Sequence, residues 1–245
     1  MSRPRRALAV VGRWLLGTGL VTWRYIWETT PLHRAECRGD EEDRPPQLRR
    51  DAIDDRVLLV SDGYGPMFHR RFRVCIAEAD LDARQLMDRV VRDFEHFVPS
   101  EVVAVHVGEV GTGGGPDVGD ELLVEMPGPW NGPVRIANRD NASLTLVTLR
   151  GHLEAGQVCF RARDDGDLLV FEIELWARSS GRLTHLLYTH LRLSKEVQLN
   201  MWVRFCLAAV TTSGGRLVDG VHISTRWLAE TTKDVDGQRS RPIRT

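Results

Sequence analysis

Lysine is nearly missing from this chain: of 33 basic residues in 245, only Lys195 and Lys233 are lysine. Arginine supplies the rest, 34 acidic residues balance it, and the net charge is −1. The bias therefore reflects genome composition, and the balance excludes the basic field of a nucleic-acid binder. Cysteine is scarce too. Cys37, Cys75, Cys159 and Cys206 contain no C-x-x-C pair, which excludes a zinc ribbon or a dithiol redox site. Three of them fall in apolar periodic segments, where free cysteine acts as a small hydrophobe. A reduced, cytoplasmic chain is expected, and Asn141-Ala142-Ser143 is a chance sequon.

Long hydrophobic runs are also missing. The longest uncharged stretch near the start, Trp14 to Trp23, is ten residues, against about 20 for a membrane-spanning helix. Gly111-Thr112-Gly113-Gly114-Gly115-Pro116 is glycine-rich but lacks the Lys-Ser/Thr of a phosphate loop, and no helix follows. It reads as a flexible loop that can cover a cavity.

What is present is ordinary for a globular protein: 42% hydrophobic and 27% charged residues, in a chain long enough to bury an ample core. Residues 1–37 read as an amphipathic helical extension. At about 100° per residue Arg6, Arg13 and Arg24 share one line, with Leu8, Val11, Leu15 and Ile26 opposite. Such a helix can lie in a membrane interface, giving peripheral association, or pack on its own domain. Residues 38–56, rich in charge and proline, read as an exposed linker. The main domain is expected over 57–230, with a polar tail over 231–245.

Within that domain, Arg71 to Ile76 alternates as a strand, and Asp80 caps a helix carrying Leu86, Val90, Phe94 and Phe97. Strands are then expected at 101–107, 121–126, 134–138, 143–149, 158–163 and 168–178, the last two joined by a turn at Asp164-Asp165-Gly166-Asp167. A long helix over 189–210 is apolar on two sides, through Val197, Met201 and Phe205 and through Trp202, Cys206 and Val210. Gly214-Gly215 ends it. This order gives an α+β fold, a curved antiparallel sheet gripping a long C-terminal helix, with a cavity between them.

Three strings stand out: Gly63 to Phe72, Gly128-Pro129-Trp130-Asn131-Gly132-Pro133, and Thr148-Leu149-Arg150-Gly151-His152-Leu153-Glu154-Ala155-Gly156. With Glu196-Val197-Gln198 on the last helix, they make residues 62–215 resemble an uncharacterised bacterial and plant family within the START-like (SRPBCC, helix-grip) superfamily. The final glycine departs from the family pattern, being followed by Gln157 and Val158 rather than paired glutamates. The resemblance implies an apolar-ligand cavity, though the superfamily holds carriers, cyclases and regulators.

The candidate ligand-binding residues are Trp130, Asn131, His152, Glu154 and Met201. His152 with Glu154 is also the candidate acid–base pair, although no nucleophile accompanies it; the simpler alternative is a turn in which His152 bonds backbone. Glu172 and Glu174 alternate away from the core side, onto a solvent face shared with Trp176 and Arg178, so they are not read as a catalytic pair. No metal or other cofactor is expected. His69, His96, His106, His185, His190 and His222 lack ligand spacing, and only a cluster made by the fold would supply a site. Three functions follow: a carrier of a small apolar ligand or lipid, an enzyme using His152 and Glu154 in a cyclisation, dehydration or hydrolysis, or a module docking a membrane or partner through its N-terminal helix.

Overall fold

The computed structural model describes residues 30–98, 104–107, 116–125, 131–181 and 192–229, with backbone only at 104–107, 125, 131 and 192–197. The helix expected near the N-terminus lies outside these residues, apart from its last stretch, which is a strand. Leu32–Arg38 forms β1 rather than helix. Its polar side chains, His33, Arg34, Glu36 and Arg38, are exposed, as suits a sheet edge.

Nine strands make one sheet. After β1 come β2 (Tyr64–Ala77), α1 (Ala83–Arg92), α2 (Phe94–Phe97), β3 (Ala104–Val107), β4 (Glu121–Glu125), β5 (Asn131–Arg139), β6 (Ser143–Thr148), β7 (Glu154–Asp165), β8 (Leu168–Ser179), α3 (Arg192–Thr212) and β9 (Arg216–Leu228). The strand order is β1-β9-β2-β8-β7-β6-β5-β4-β3. Only the β1–β9 pairing is parallel. The class is α+β, with the long helix held against one face of an antiparallel sheet.

Local chemistry explains the boundaries. Asp82, not Asp80, caps α1: its carboxylate accepts from the Gln85 amide at 2.7 Å, and Gln85 accepts in return from the Asp82 amide. The turn between β7 and β8 rests on Gly166, at φ +63°. Helix α3 stops after Thr212, and Gly214, at φ +74°, packs against Asp80 where a side chain would strike its carboxylate. Strand β9 was not expected, because Asp219 and Gly220 interrupt its alternation. Both have positive φ, and they bulge the strand opposite Val74, between the pairs Arg73–His222 and Cys75–Val218.

Period-two alternation gives the sheet two distinct faces. On β2, Phe72, Val74 and Ile76 point inward and are fully buried, together with Phe160, Phe171 and Ile173 from β7 and β8. Helix α3 lays Val203, Phe205, Cys206 and Ala209 on this face, and α1 adds Leu86, Met87 and Val90. Phe205 is central: its ring lies 4.9–6.3 Å from those of Phe94, Phe97, Phe160, Phe171 and Trp202.

The other face is covered as well. Residues 38–56 are mostly exposed, but they run along the outside of the sheet and dock on it through Asp43, Pro46 and Ala52. Ala52 and Val57 join Ala137, Val147 and Leu149 in one small cluster, and Val60 joins Met67, Cys159 and Trp176 in another. The sequence signal of a linker came from charges that the fold uses for docking. Among the described residues, no helix is long and apolar enough to cross a membrane.

Candidate functional site

Arg70 interrupts the apolar inner face. Strand register puts Arg70 in a row with Leu146, Val158, Leu175 and Thr225, facing α3. Arg70 is buried, its guanidinium 5.2 Å from the centre of the Phe68 ring. Its Nη1 donates to Gln198 Oε1 at 2.6 Å, and Gln198 Nε2 donates onward to Glu154 Oε2 at 3.0 Å. A cation, an amide and a carboxylate thus form a chain across the junction of β2, α3 and β7. Buried polar groups persist only when partnered, so this chain fixes the helix at one register on the sheet.

Apolar surface continues from the chain along α3. Half-buried Met201 and Trp202 pack against the core, with the Trp202 ring 5.8 Å from that of Phe160. Trp202 Nε1 is shut off from solvent and has no hydrogen-bond partner among the described residues. An indole N–H in that position costs about 1–3 kcal/mol unless something accepts from it.

His152 and Glu154 do come together, in the turn before β7, but through the backbone. His152 Nδ1 lies 2.9 Å from the Glu154 amide nitrogen and 3.1 Å from its carbonyl oxygen. The amide can only donate, so Nδ1 accepts and the proton sits on Nε2. Burial then pushes the imidazole below its ordinary pKa, against the opposing pull of Glu154, and holds it neutral. The bonding is that of the simpler alternative, a histidine closing a turn.

The rest of this string is structural too. Gly151 turns at φ +100°. A side chain at Gly156 would strike the backbone at Trp176. Thr148 Oγ1 accepts from the Gly156 amide at 2.9 Å and donates to Leu58 O at 3.0 Å, while the Arg150 amide donates to Arg56 O at 2.7 Å. The string therefore receives the N-terminal arm. Gly63 works alike, leaving no room for a side chain beside Arg178. Trp130 lies outside the described residues, as does the side chain of Asn131 at the start of β5.

The outer face holds a second polar site that the sequence reading missed. His69 Nδ1 lies 2.9 Å from Asp43 Oδ1, and Nε2 lies 2.8 Å from Glu174 Oε1. The imidazole thus bridges two carboxylates. Arg71 donates to the same Glu174 oxygen at 2.7 Å, Arg226 reaches Asp43 Oδ2 at 3.3 Å, and the imidazole stacks on Trp176 at 5.0 Å. Burial alone would push the Glu174 carboxyl up, but His69 and Arg71 hold it at about 2. Burial likewise opposes ionisation of Asp43, and the Asp40 amide with His69 and Arg226 keeps its pKa below the ordinary value.

Glu174 was expected on a solvent face; it is 8% exposed, beneath the arm. Alternation placed it on the correct side of the strand, but nothing local announced that residues 40–62 would cover that side. The signal available was Asp43 in a capping box, Asp40 to Asp43, which marks an ordered turn inside a supposed linker. The fold also gathers one histidine cluster that spacing could not show, His33 and His222 beside Asp219.

No protein-family model and no curated protein matches the chain. Among solved structures it is similar to a hypothetical protein from Helicobacter pylori, at 12% identity over 58% of this chain and 87% of that one, with a TM-score of 0.42. Norcoclaurine synthase from Thalictrum flavum is similar at 12% identity over 62% and 88%, TM-score 0.42. The major latex-like protein 151 of Panax ginseng is similar at 11% over 54% and 97%, TM-score 0.35. These are distant likenesses of chain path and carry no function across.

Proposed function

We propose that the protein binds a small, mainly apolar molecule between the inner face of the sheet and α3, as a carrier rather than an enzyme. The observation that carries this reading is the indole N–H of Trp202, buried and without a hydrogen-bond partner among the described residues. It sits among aromatic rings, near a polar chain that can receive the other end of a ligand. The molecule would place its apolar body against Phe160, Trp202 and Met201. An accepting group would meet Trp202 Nε1, and a polar end would meet Arg70, Gln198 and Glu154. Trp130 and Asn131 are assigned to the mouth of this site. The START-like resemblance of the motif strings supports the same arrangement.

The carrier reading is favoured over acid–base chemistry by the use of His152. Its Nδ1 is occupied by backbone, which leaves one neutral N–H and no base. Native mass spectrometry of full-length protein, gently purified from its own host, tests the proposal when followed by organic extraction. The expected result is a discrete additional mass that is lost on denaturation. A bare mass from host-purified protein, together with no saturable binding of fatty acids, sterols or aromatic polyketides, would contradict it.

A further inference from the structure

Far from the inner site, three ligand-type side chains converge where β1 meets β9. Parallel register pairs His33 with His222, and antiparallel register pairs His222 with Arg73. All three residues therefore stand on the outer face. The two imidazoles stack with centroids 4.6 Å apart and planes at 18°. Stacking brings both Nε2 atoms to one carboxylate: His33 Nε2 lies 3.5 Å from Asp219 Oδ1, and His222 Nε2 lies 3.2 Å from Asp219 Oδ2.

These spacings match a coordination sphere. One donor atom from each of His33, Asp219 and His222 lies within 4.8 Å of the others, close to the roughly 3.3 Å that separates two ligands about 2.0–2.1 Å from a tetrahedral zinc ion. Two histidines and one carboxylate also form the donor set of many open divalent transition-metal sites. The backbone is shaped for it. Asp219 holds a left-handed conformation, φ +59°, ahead of Gly220 at +76°. That bulge is possible because Gly220 has no side chain to strike Pro31, whose carbonyl accepts from the Val221 amide at 2.9 Å. The bulge thus starts β1 and sets Asp219 between the two histidines.

The surroundings leave room for an ion. His33 and His222 line an open cleft of about 540 Å³ that also borders Arg71, Arg73 and Ser224.

We propose that His33, Asp219 and His222 bind one divalent transition-metal ion, which clasps β1 to β9. Strand β1 has use for such a clasp, since hydrogen bonds to β9 hold it and its side chains are exposed along nearly its whole length. A ligand that binds only the assembled pair stabilises that pairing by mass action.

The test uses metal-free full-length protein titrated with zinc chloride by calorimetry, then hydrogen exchange read across residues 32–38. One zinc ion should bind per chain, and exchange in β1 should slow at least tenfold when it does. His222→Ala should weaken binding by about 10–100-fold or more, and Asp219→Asn, which keeps the shape of the side chain, by at least tenfold. Asp219 is exposed and His222 half-exposed, so both variants should match the metal-free wild type in thermal unfolding. Should His222→Ala fold poorly, His33→Ala provides the same reading from the other strand. Absence of saturable binding, binding of equal strength in the variants, or binding that leaves β1 exchange unchanged would each overturn the proposal. None of these outcomes depends on the ligand proposed for the inner face.

Discussion

The two faces of the sheet are built from the same strands by opposite chemistry. Inward, β2 and β8 present Phe72, Val74, Phe171 and Ile173, and the helices cover them with aromatic and aliphatic side chains. Outward, the alternate residues of the same strands are His69, Arg71, Glu172, Glu174 and Trp176, and a charged N-terminal arm covers much of them. The inner face depends on volume and shape, where any truncation leaves a cavity. The outer face depends on matched charge, where removing one member strands the others away from water. Burial alone does not distinguish them: Phe205 is 0% exposed, and Asp43 is 4%.

That contrast predicts a ranking. Phe205→Ala should cost most, about 3–5 kcal/mol, read as a lower urea midpoint with similar effects at low and high salt. His69→Ala should follow at about 3 kcal/mol, because Asp43 and Glu174 would remain buried without the imidazole that bridges them. The two can be told apart by rescue. Truncating both carboxylates to alanine in the His69→Ala background should recover part of the loss, whereas no outer-face change should help Phe205→Ala. If His69→Ala cost nothing, the outer face would be an ordinary wet surface and the contrast would fail.

Acid should sharpen the difference. The Glu174 carboxyl is held at about 2 in the folded state, below its ordinary 4.5. A group depressed on folding contributes stability above its unfolded pKa and loses it as pH falls through the folded value. Glu174 therefore stabilises the protein fully above about pH 5 and progressively less between 4.5 and 2, up to about 3 kcal/mol in all. Wild type should show this loss in urea melts across that range. Glu174→Gln should start less stable at pH 7 and show a flatter profile, while inner-face variants should keep the wild-type slope.

At the bottom of the ranking is Arg56→Ala. Arg56 reaches Glu121 at 2.8 Å on an exposed surface, and its loss should change stability by less than about 1 kcal/mol and fade in high salt. A larger effect would mean that the arm is held by this ion pair rather than by its buried clusters.

Much of the inner face was legible in the sequence. Alternation found β2 to β8, and the two-sided apolar pattern of 189–210 found α3. The turn at Gly166 announced itself through Asp-Gly chemistry. The edge was not legible. Strand β9 hides behind its Asp219-Gly220 bulge, and β1 is charged because it lies exposed beside β9, so neither shows a periodic apolar pattern. The outer-face cluster was invisible for a different reason: Asp43, His69 and Glu174 are 26 and 105 residues apart, measured from His69, and only long-range register unites them. Of the candidate site residues, His152 lies in the turn before β7 and Glu154 opens that strand, and the bonding between them is local. Arg70 and Gln198, which complete the inner chain with Glu154, sat unremarked inside recognised elements, since nothing local shows that they face each other.

The most direct test of the inner-face account is the indole N–H resonance of Trp202, assigned through Trp202→Phe in 15N-labelled full-length protein. The ligand extracted from host-purified protein, returned to the stripped protein, should move that resonance strongly downfield as the orphaned N–H gains an acceptor. Trp202→Phe should bind the same molecule several-fold more weakly. A resonance that stays in place at saturating ligand, with the variant binding as tightly as wild type, would contradict the assignment of the site to the space between sheet and α3.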